Sequence, residues 1–243
     1  EFRRVLFRSL REVKVLQEMA SLQGESMAGP LHIGLIPTVG PYLLPHIIPE
    51  LHRNYPKLEM YLHEAQTNSL LAQLDSGKLD CAILAMVKES APFIEVPLFE
   101  EPMKLAIYDE HPWHDRKSVP MGDLAGQRLL MLEDGHCLRD QALGFCFQAG
   151  AKEDTHFRAT SLETLRNMVA AGSGITLLPD LAVPQAQKRD GVCYLDCTSP
   201  NPSRSIILAY RPGSPLRNRY EQLAETIRDH MTAFYEAKKA ASK

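Results

Sequence analysis

A chain of 243 residues that is 44% hydrophobic and 23% charged has the composition of one large globular domain or two small ones, which excludes a disordered or fibrous protein. Its net charge of −3 and pI near 6.3 leave no electrostatic footprint for nucleic acid or an anionic membrane. No run approaches the roughly 18 apolar residues of a membrane span, and residues 1–9 are broken by Arg3, Arg4 and Arg8, unlike a signal peptide.

A cytoplasmic protein is therefore expected, and its five cysteines read as free, metal-binding or reactive thiols, not structural disulfides. Residues 1–9 look foreign to the chain, with 10–28 the remnant of a linker helix ending near Gly24 or a terminal helix that frays. After Gly29 and Pro30, LHIGLI reads as a strand with Thr38 in the turn beyond it, and Leu44, Ile47, Ile48 and Leu51 recur at helical spacing. Leu58 to Glu64 alternates as a strand. Thr67 or Asn68 caps a helix that Gly77 stops, and 80–86 is an apolar strand.

The unit recurs. SLLAQLDSGKLDCAILA at 69–85 and SLETLRNMVAAGSGITLLP at 161–179 both pass from a polar cap through a helix and a glycine stop into a buried strand, the second with a Thr160/Glu163 capping box. Extended runs at 97–108 and 205–210 carry the chain across and back. The predicted class is α/β: two Rossmann-like lobes with mixed, mainly parallel sheets, similar in plan to periplasmic binding proteins. Lobe I takes 29–99 and 205–236, lobe II takes 100–204, and 237–243 is a disordered tail.

The stretch EDGHCLRDQALGFCFQAG, 133–150, puts Cys137 and Cys146 nine positions apart in one expected helix running from His136 or Cys137 to a stop at Gly150. Unbroken, that helix separates their Cα atoms by roughly 13 Å, whereas a disulfide needs less than about 7 Å. Cys137, in the first turn, reads as an exposed thiol favoured as thiolate by the helix dipole, with Arg139 adding a cation if it points at the sulfur. Cys146 lies with Leu138, Ala142, Phe145 and Ala149 on the apolar face. One reading is an attacker and a resolver: peroxide oxidises Cys137 to a sulfenic acid, which condenses with Cys146 once the helix opens. Thr38, Thr67 and His136 are then candidate proton donors; the other reading is two unrelated cysteines. Read singly, Thr38 and Thr67 are helix-capping hydroxyls, Arg204 a surface arginine in a Pro-rich loop, and Asp80 a turn residue at a strand start.

Cys81 belongs to a core strand, Cys193 and Cys197 to packing, and HPWH at 111–114 to a surface turn. His136, Cys137 and His156 form no spacing that requires a metal. Without HExxH, paired CxxC, GxGxxG or GxxxxGK[ST], no metal or cofactor is expected.

The stretch 133–150, followed by DTHFRATSLETLRNMVAAGSGITLLP, closely resembles peroxide-sensing members of the LysR-type transcriptional regulators. So do GPLHIGLIPTVGPYLLP, LEMYLHEAQT, LDSGKLDCAIL and RPGSPLR, and the resemblance covers about residues 10–235. It implies Cys137 as peroxidatic cysteine, Cys146 as its disulfide partner, and Thr38, Thr67 and His136 as residues holding peroxide or its water. Arg204 matches a basic residue near the lobe junction, and Asp80 is a weaker candidate there. It further implies a stoichiometric redox switch, not an enzyme, with hydrogen peroxide as input and a thiol reductant for reset. Dimers through the effector domain, tetramers when full length, RNA polymerase as partner and DNA contact through an N-terminal domain missing from this chain complete the expectation. The alternatives are an effector domain binding a small organic ligand in the same cleft, or a thiol enzyme, a peroxidase or a hydrolase using His136 and Cys137.

Overall fold

In the computed structural model, residues 27–86, 92–148, 150–184, 188–189 and 191–241 are described. The expectations for 1–9, for the linker remnant up to residue 26, for the last two residues and for the placement of Ala149 lie outside them. The chain divides into two compact units, residues 1–99 with 206–243, and residues 100–205.

The first unit is built on strands β1 (Gly29–Leu35), β2 (Leu58–Glu64), β3 (Cys81–Ala85) and the second part of β11 (Ser203–Tyr210), in the order β2-β1-β3-β11. β1 pairs in parallel with both β2 and β3, and β11 runs antiparallel to β3. Parallel neighbours require crossovers, supplied by α1 (Gly40–Asn54) and α2 (Thr67–Ser76). Leu31, Ile33, Leu35, Leu43, Leu51, Leu70 and Leu74 are buried in its core. A long helix, α5 (Arg217–Ala241), buries Tyr220, Leu223, Ile227 and Met231 in the same unit. It continues past residue 236, so 238–241 are helical where a tail was expected; the run EAKKAA has high helix propensity and simply extends the periodic face.

The second unit repeats the plan. β6 (Arg128–Leu132) pairs in parallel with β7 (Lys152–Ala159); between them the chain forms α3 (Cys137–Gln148), and after β7 comes α4 (Leu162–Ala170). β6 also meets the residues leading into β8 (Thr176–Pro179) through Leu130 N–H to the Ile175 carbonyl at 2.8 Å and Ile175 N–H to the Arg128 carbonyl at 3.0 Å. A Cβ on Gly174 would lie 2.7 Å from the Arg128 carbonyl oxygen, so this backbone approach needs glycine. β8 is antiparallel to β4 (Ile94–Tyr108), as β3 is to β11. The remaining strands are β5 (Ser118–Pro120), β9 (Lys188–Arg189) and β10 (Val192–Thr198), with β10 pairing β4, β5 and β9.

Three local readings change. α4 is capped by Ser161, whose hydroxyl accepts from Thr164 N–H at 3.2 Å, one residue beyond the expected Thr160. The HPWH segment is a turn with Pro112 and His114 exposed, but its other two side chains are not at the surface: His111 and Trp113 are buried and meet edge to face at 4.8 Å, and the His111 ring meets Tyr108 at 5.1 Å. Arg204 is buried on β11, not on a surface loop. No described helix is long and apolar enough to cross a membrane.

Candidate functional site

Equivalent elements of the two units place the candidate residues. Thr38 lies in the turn from β1 to α1, and His136 in the turn from β6 to α3; Thr67 opens α2 after β2. Strand carboxyl ends followed by helix amino ends are where open α/β sheets bind ligands.

α3 begins at Cys137 after a turn in which Gly135 adopts φ 94°, a left-handed conformation that reverses the chain between β6 and the helix. The His136 carbonyl accepts from Arg139 N–H at 2.9 Å, so His136 stands immediately before the first helical residue. Its ring is buried, and this burial pushes its pKa below the ordinary histidine value against the pull of Glu133, whose carboxylate lies 3.9 Å away. The imidazole is therefore neutral at neutral pH, with one nitrogen to donate and one to accept.

Cys137 is only 7% exposed, contrary to the exposed thiol expected. Its place in the first turn does not decide exposure, because α3 packs against β6, β7 and the turn at Met121–Leu124. Cys146 is fully buried with Leu138, Ala142 and Leu143. Burial pushes its pKa up to about 12, with the nearby Cys197 thiol adding to the rise, and Cys197 itself is raised to about 12 by burial. All five cysteines are free and buried. In unbroken α3 the two Cα atoms are roughly 13 Å apart along the axis, beyond disulfide reach. The arrangement is a dithiol that bonds only if α3 opens.

Arg139 supplies its charge elsewhere. Its guanidinium donates to both Glu153 oxygens at 2.8 and 3.0 Å and lies within 3.4 Å of Asp134 and 3.7 Å of Asp140. Sequence reading missed Glu153, whose acidic side chain is nearly buried on β7; the run KEDTHFRA carries no alternation that would mark it.

Thr38 and Thr67 are buried, but neither caps a helix: the caps are Val39 and Gln66, without side-chain bonds. The Thr67 hydroxyl has no hydrogen-bond partner among the described residues. Asp80 precedes β3 and accepts His32 N–H at 2.7 Å while its own N–H donates to the His32 carbonyl at 2.9 Å, a strand-start clip. Arg204 donates through Nε and Nη2 to one Glu101 oxygen at 2.8 and 2.7 Å, and the other oxygen accepts Leu181 N–H at 3.2 Å. Burial pushes the Glu101 carboxyl up against the pull of Arg204. Glu101, one of three acids on β4 with Glu95 and Glu100, is the partner sequence reading did not name. Among the described residues no three His, Cys, Asp or Glu side chains form a metal cluster, and His156 is exposed beside Asp154.

The sequence profile of the LysR substrate binding domain matches residues 24–232. A relative described as "Hydrogen peroxide-inducible genes activator", from Pectobacterium carotovorum subsp. carotovorum, is 80% identical over 227 residues, 93% of this chain and 75% of its own length. Among solved structures, the oxidised form of OxyR is 77% identical, with a TM-score of 0.82 over 87% of this chain and 100% of that one. The reduced form of OxyR is 75% identical, with a TM-score of 0.81 over 85% of this chain and 98% of that one. The mixed α/β architecture is accordingly of the periplasmic-binding-protein type. The chain belongs to the LysR substrate-binding-domain family, within its group of hydrogen peroxide-inducible transcriptional activators.

Proposed function

We propose that this chain is the redox-sensing regulatory domain of a hydrogen-peroxide-responsive transcription activator, with Cys137 and Cys146 as its switch. The observation that carries the reading is one unbroken helix, α3, holding Cys137 in its first turn beside buried His136 and Cys146 on its buried face, both as free thiols. The Cys137 thiolate attacks one oxygen of hydrogen peroxide, the O–O bond breaks, and hydroxide leaves and is protonated to water. The sulfur is oxidised to a sulfenic acid. Cys146 then gives up its thiol proton and attacks that sulfur, expelling a second water and forming the disulfide.

The second step demands a change of shape, because α3 must open to bring the Cα atoms within about 7 Å. The roles that the resemblance gives Thr38, Thr67 and His136, holding peroxide or its water, accompany this reading; the Thr67 hydroxyl, without a partner among the described residues, is a group that a small polar ligand would satisfy. Arg204 acts with Glu101 as a fixed ion pair in its own unit, and Asp80 as a clip on β1. The reading includes subunit packing as output, a thiol reductant for reset, and DNA and RNA polymerase contacts by a longer protein with an N-terminal DNA-binding domain.

Peptide mapping without reductant, before and after brief treatment with about one equivalent of peroxide, tests it. A peptide joining Cys137 to Cys146 is expected, together with a trappable sulfenic acid in Cys146→Ser and none in Cys137→Ser. Oxidation confined to Cys81, Cys193 or Cys197, or steady turnover with a reductant, overturns it.

A further inference from the structure

The first unit carries a pair of histidines that the redox chemistry leaves unused. His32 on β1 and His63 on β2 are both half-buried, with His32 Nδ1 and His63 Nε2 3.3 Å apart. Their strands are adjacent and parallel, in a register that sets His32 opposite Tyr61 and Gly34 opposite His63. The Tyr61 ring, 48% exposed, stacks on His32 at 4.8 Å and 20°, limiting how the imidazole turns. Asp80 fixes the His32 backbone from the other side through two hydrogen bonds, of 2.7 and 2.9 Å.

We propose that His32 and His63 form an open two-histidine site for a divalent transition-metal ion, zinc above all. Two nitrogens bound to tetrahedral zinc at about 2.0–2.1 Å lie about 3.3–3.4 Å apart, which is the separation already present. A square-planar ion at about 2.0 Å asks for nitrogens roughly 2.8 Å apart, so the pair is set for the tetrahedral ion. Without metal, one imidazole N–H donates to the other ring. With metal, both facing nitrogens must carry a lone pair, so the shared proton moves to the far nitrogen of its own ring, with no net proton release. Both facing lone pairs then aim at a common point off the line between the nitrogens. Among the described residues no third His, Cys, Asp or Glu joins them, so water completes the coordination and the site stays open.

The test uses the full chain in its reduced state, kept so by a reductant that does not bind metal. Zinc is titrated in competition with a chromophoric chelator, and Co2+ serves as spectroscopic probe. One saturable site with micromolar or tighter affinity is expected, weakened at least tenfold in both His32→Gln and His63→Gln. Circular dichroism identifies any variant that fails to fold. Independently of the variants, paramagnetic broadening by Co2+ in the wild-type chain is expected to centre on the rings of His32, His63 and Tyr61. Unchanged affinity in both folded variants, absence of saturable binding below millimolar metal, or a Co2+–thiolate charge-transfer band with broadening centred on α3 overturns the proposal.

Discussion

Replacing Leu143 with alanine tests whether the buried face of α3 is given up on oxidation. Leu143 is 8% exposed and lies with Leu138, Ala142 and Cys146 on the face that holds the helix down. Bringing two Cα atoms from roughly 13 Å to within about 7 Å withdraws that face from its pocket. A Leu→Ala change at a buried site costs about 2–3 kcal/mol, here charged to the dithiol form alone. For a two-electron couple, about 30 mV corresponds to about 1.4 kcal/mol, so the disulfide's reduction potential becomes more negative by about 40–65 mV. Equilibration in thiol–disulfide buffers, followed by alkylation of free thiols, measures that shift. Denaturant unfolding of the reduced variant measures the 2–3 kcal/mol separately. Loss of reduced-state stability with a potential unchanged to within about 10 mV refutes the reasoning, because the helix face would then remain buried in both forms.

Arg139→Ala removes the two-bond pair with Glu153 that ties the first turn of α3 to β7, and leaves a nearly buried carboxylate with only Arg158, 3.6 Å away, to balance it. A loss of about 2 kcal/mol in reduced-state unfolding is expected, with faster disulfide formation after peroxide, read by stopped quenching and thiol counting. His111 Nδ1 accepts Trp113 N–H at 3.2 Å, which requires an unprotonated nitrogen, and burial lowers its pKa below the ordinary histidine value. Its contribution to stability is therefore complete above the unfolded value of about 6.5 and is lost as pH falls through that value and then the folded one. Trp113 is the chain's single tryptophan, so its fluorescence should titrate below about pH 6.5, and His111→Gln should abolish that transition. Gly174→Ala sets a methyl against a backbone oxygen that cannot swing aside, costing about 1–3 kcal/mol and speeding amide exchange at Leu130 and Ile175.

Elements with strong periodicity were legible in the sequence. β2 at Leu58–Glu64 and the helix stopped by Gly77 stand where alternation and helical spacing put them. Polar partners were not legible, because ion pairs such as Arg204–Glu101 join residues 103 positions apart, and only the folded sheet brings them together. Burial of Cys137 was misread for a related reason: a first-turn position fixes the backbone environment, while exposure depends on the tertiary packing of the helix. The capping roles of Thr38 and Thr67 failed where composition alone was the guide, since a hydroxyl near a helix start caps only if it stands one residue outside the helix with its oxygen turned back.

The repetition of the fold also bears on why α3, and not its counterpart α1, would be the element that opens. α1 has 15 residues, buries Leu43, Ile47 and Leu51, and is in contact with α5, where His46 meets Phe234 at 4.6 Å. Its interior prolines, Pro45 and Pro49, each remove a backbone hydrogen bond, which shifts its support further toward packing. α3 has 12 residues with Gly144 at an exposed interior position, which costs about 1 kcal/mol relative to alanine. A helix of that length is marginal by itself and persists through its packing. Its first turn is fastened by one arginine, and its buried face rests on a few small and medium side chains, one of which is the reacting thiol. Bond formation at Cys146 thus removes one of the groups that held the helix, so chemistry and unwinding reinforce each other in α3, whereas α1, fixed by α5, carries no group whose reaction would release it.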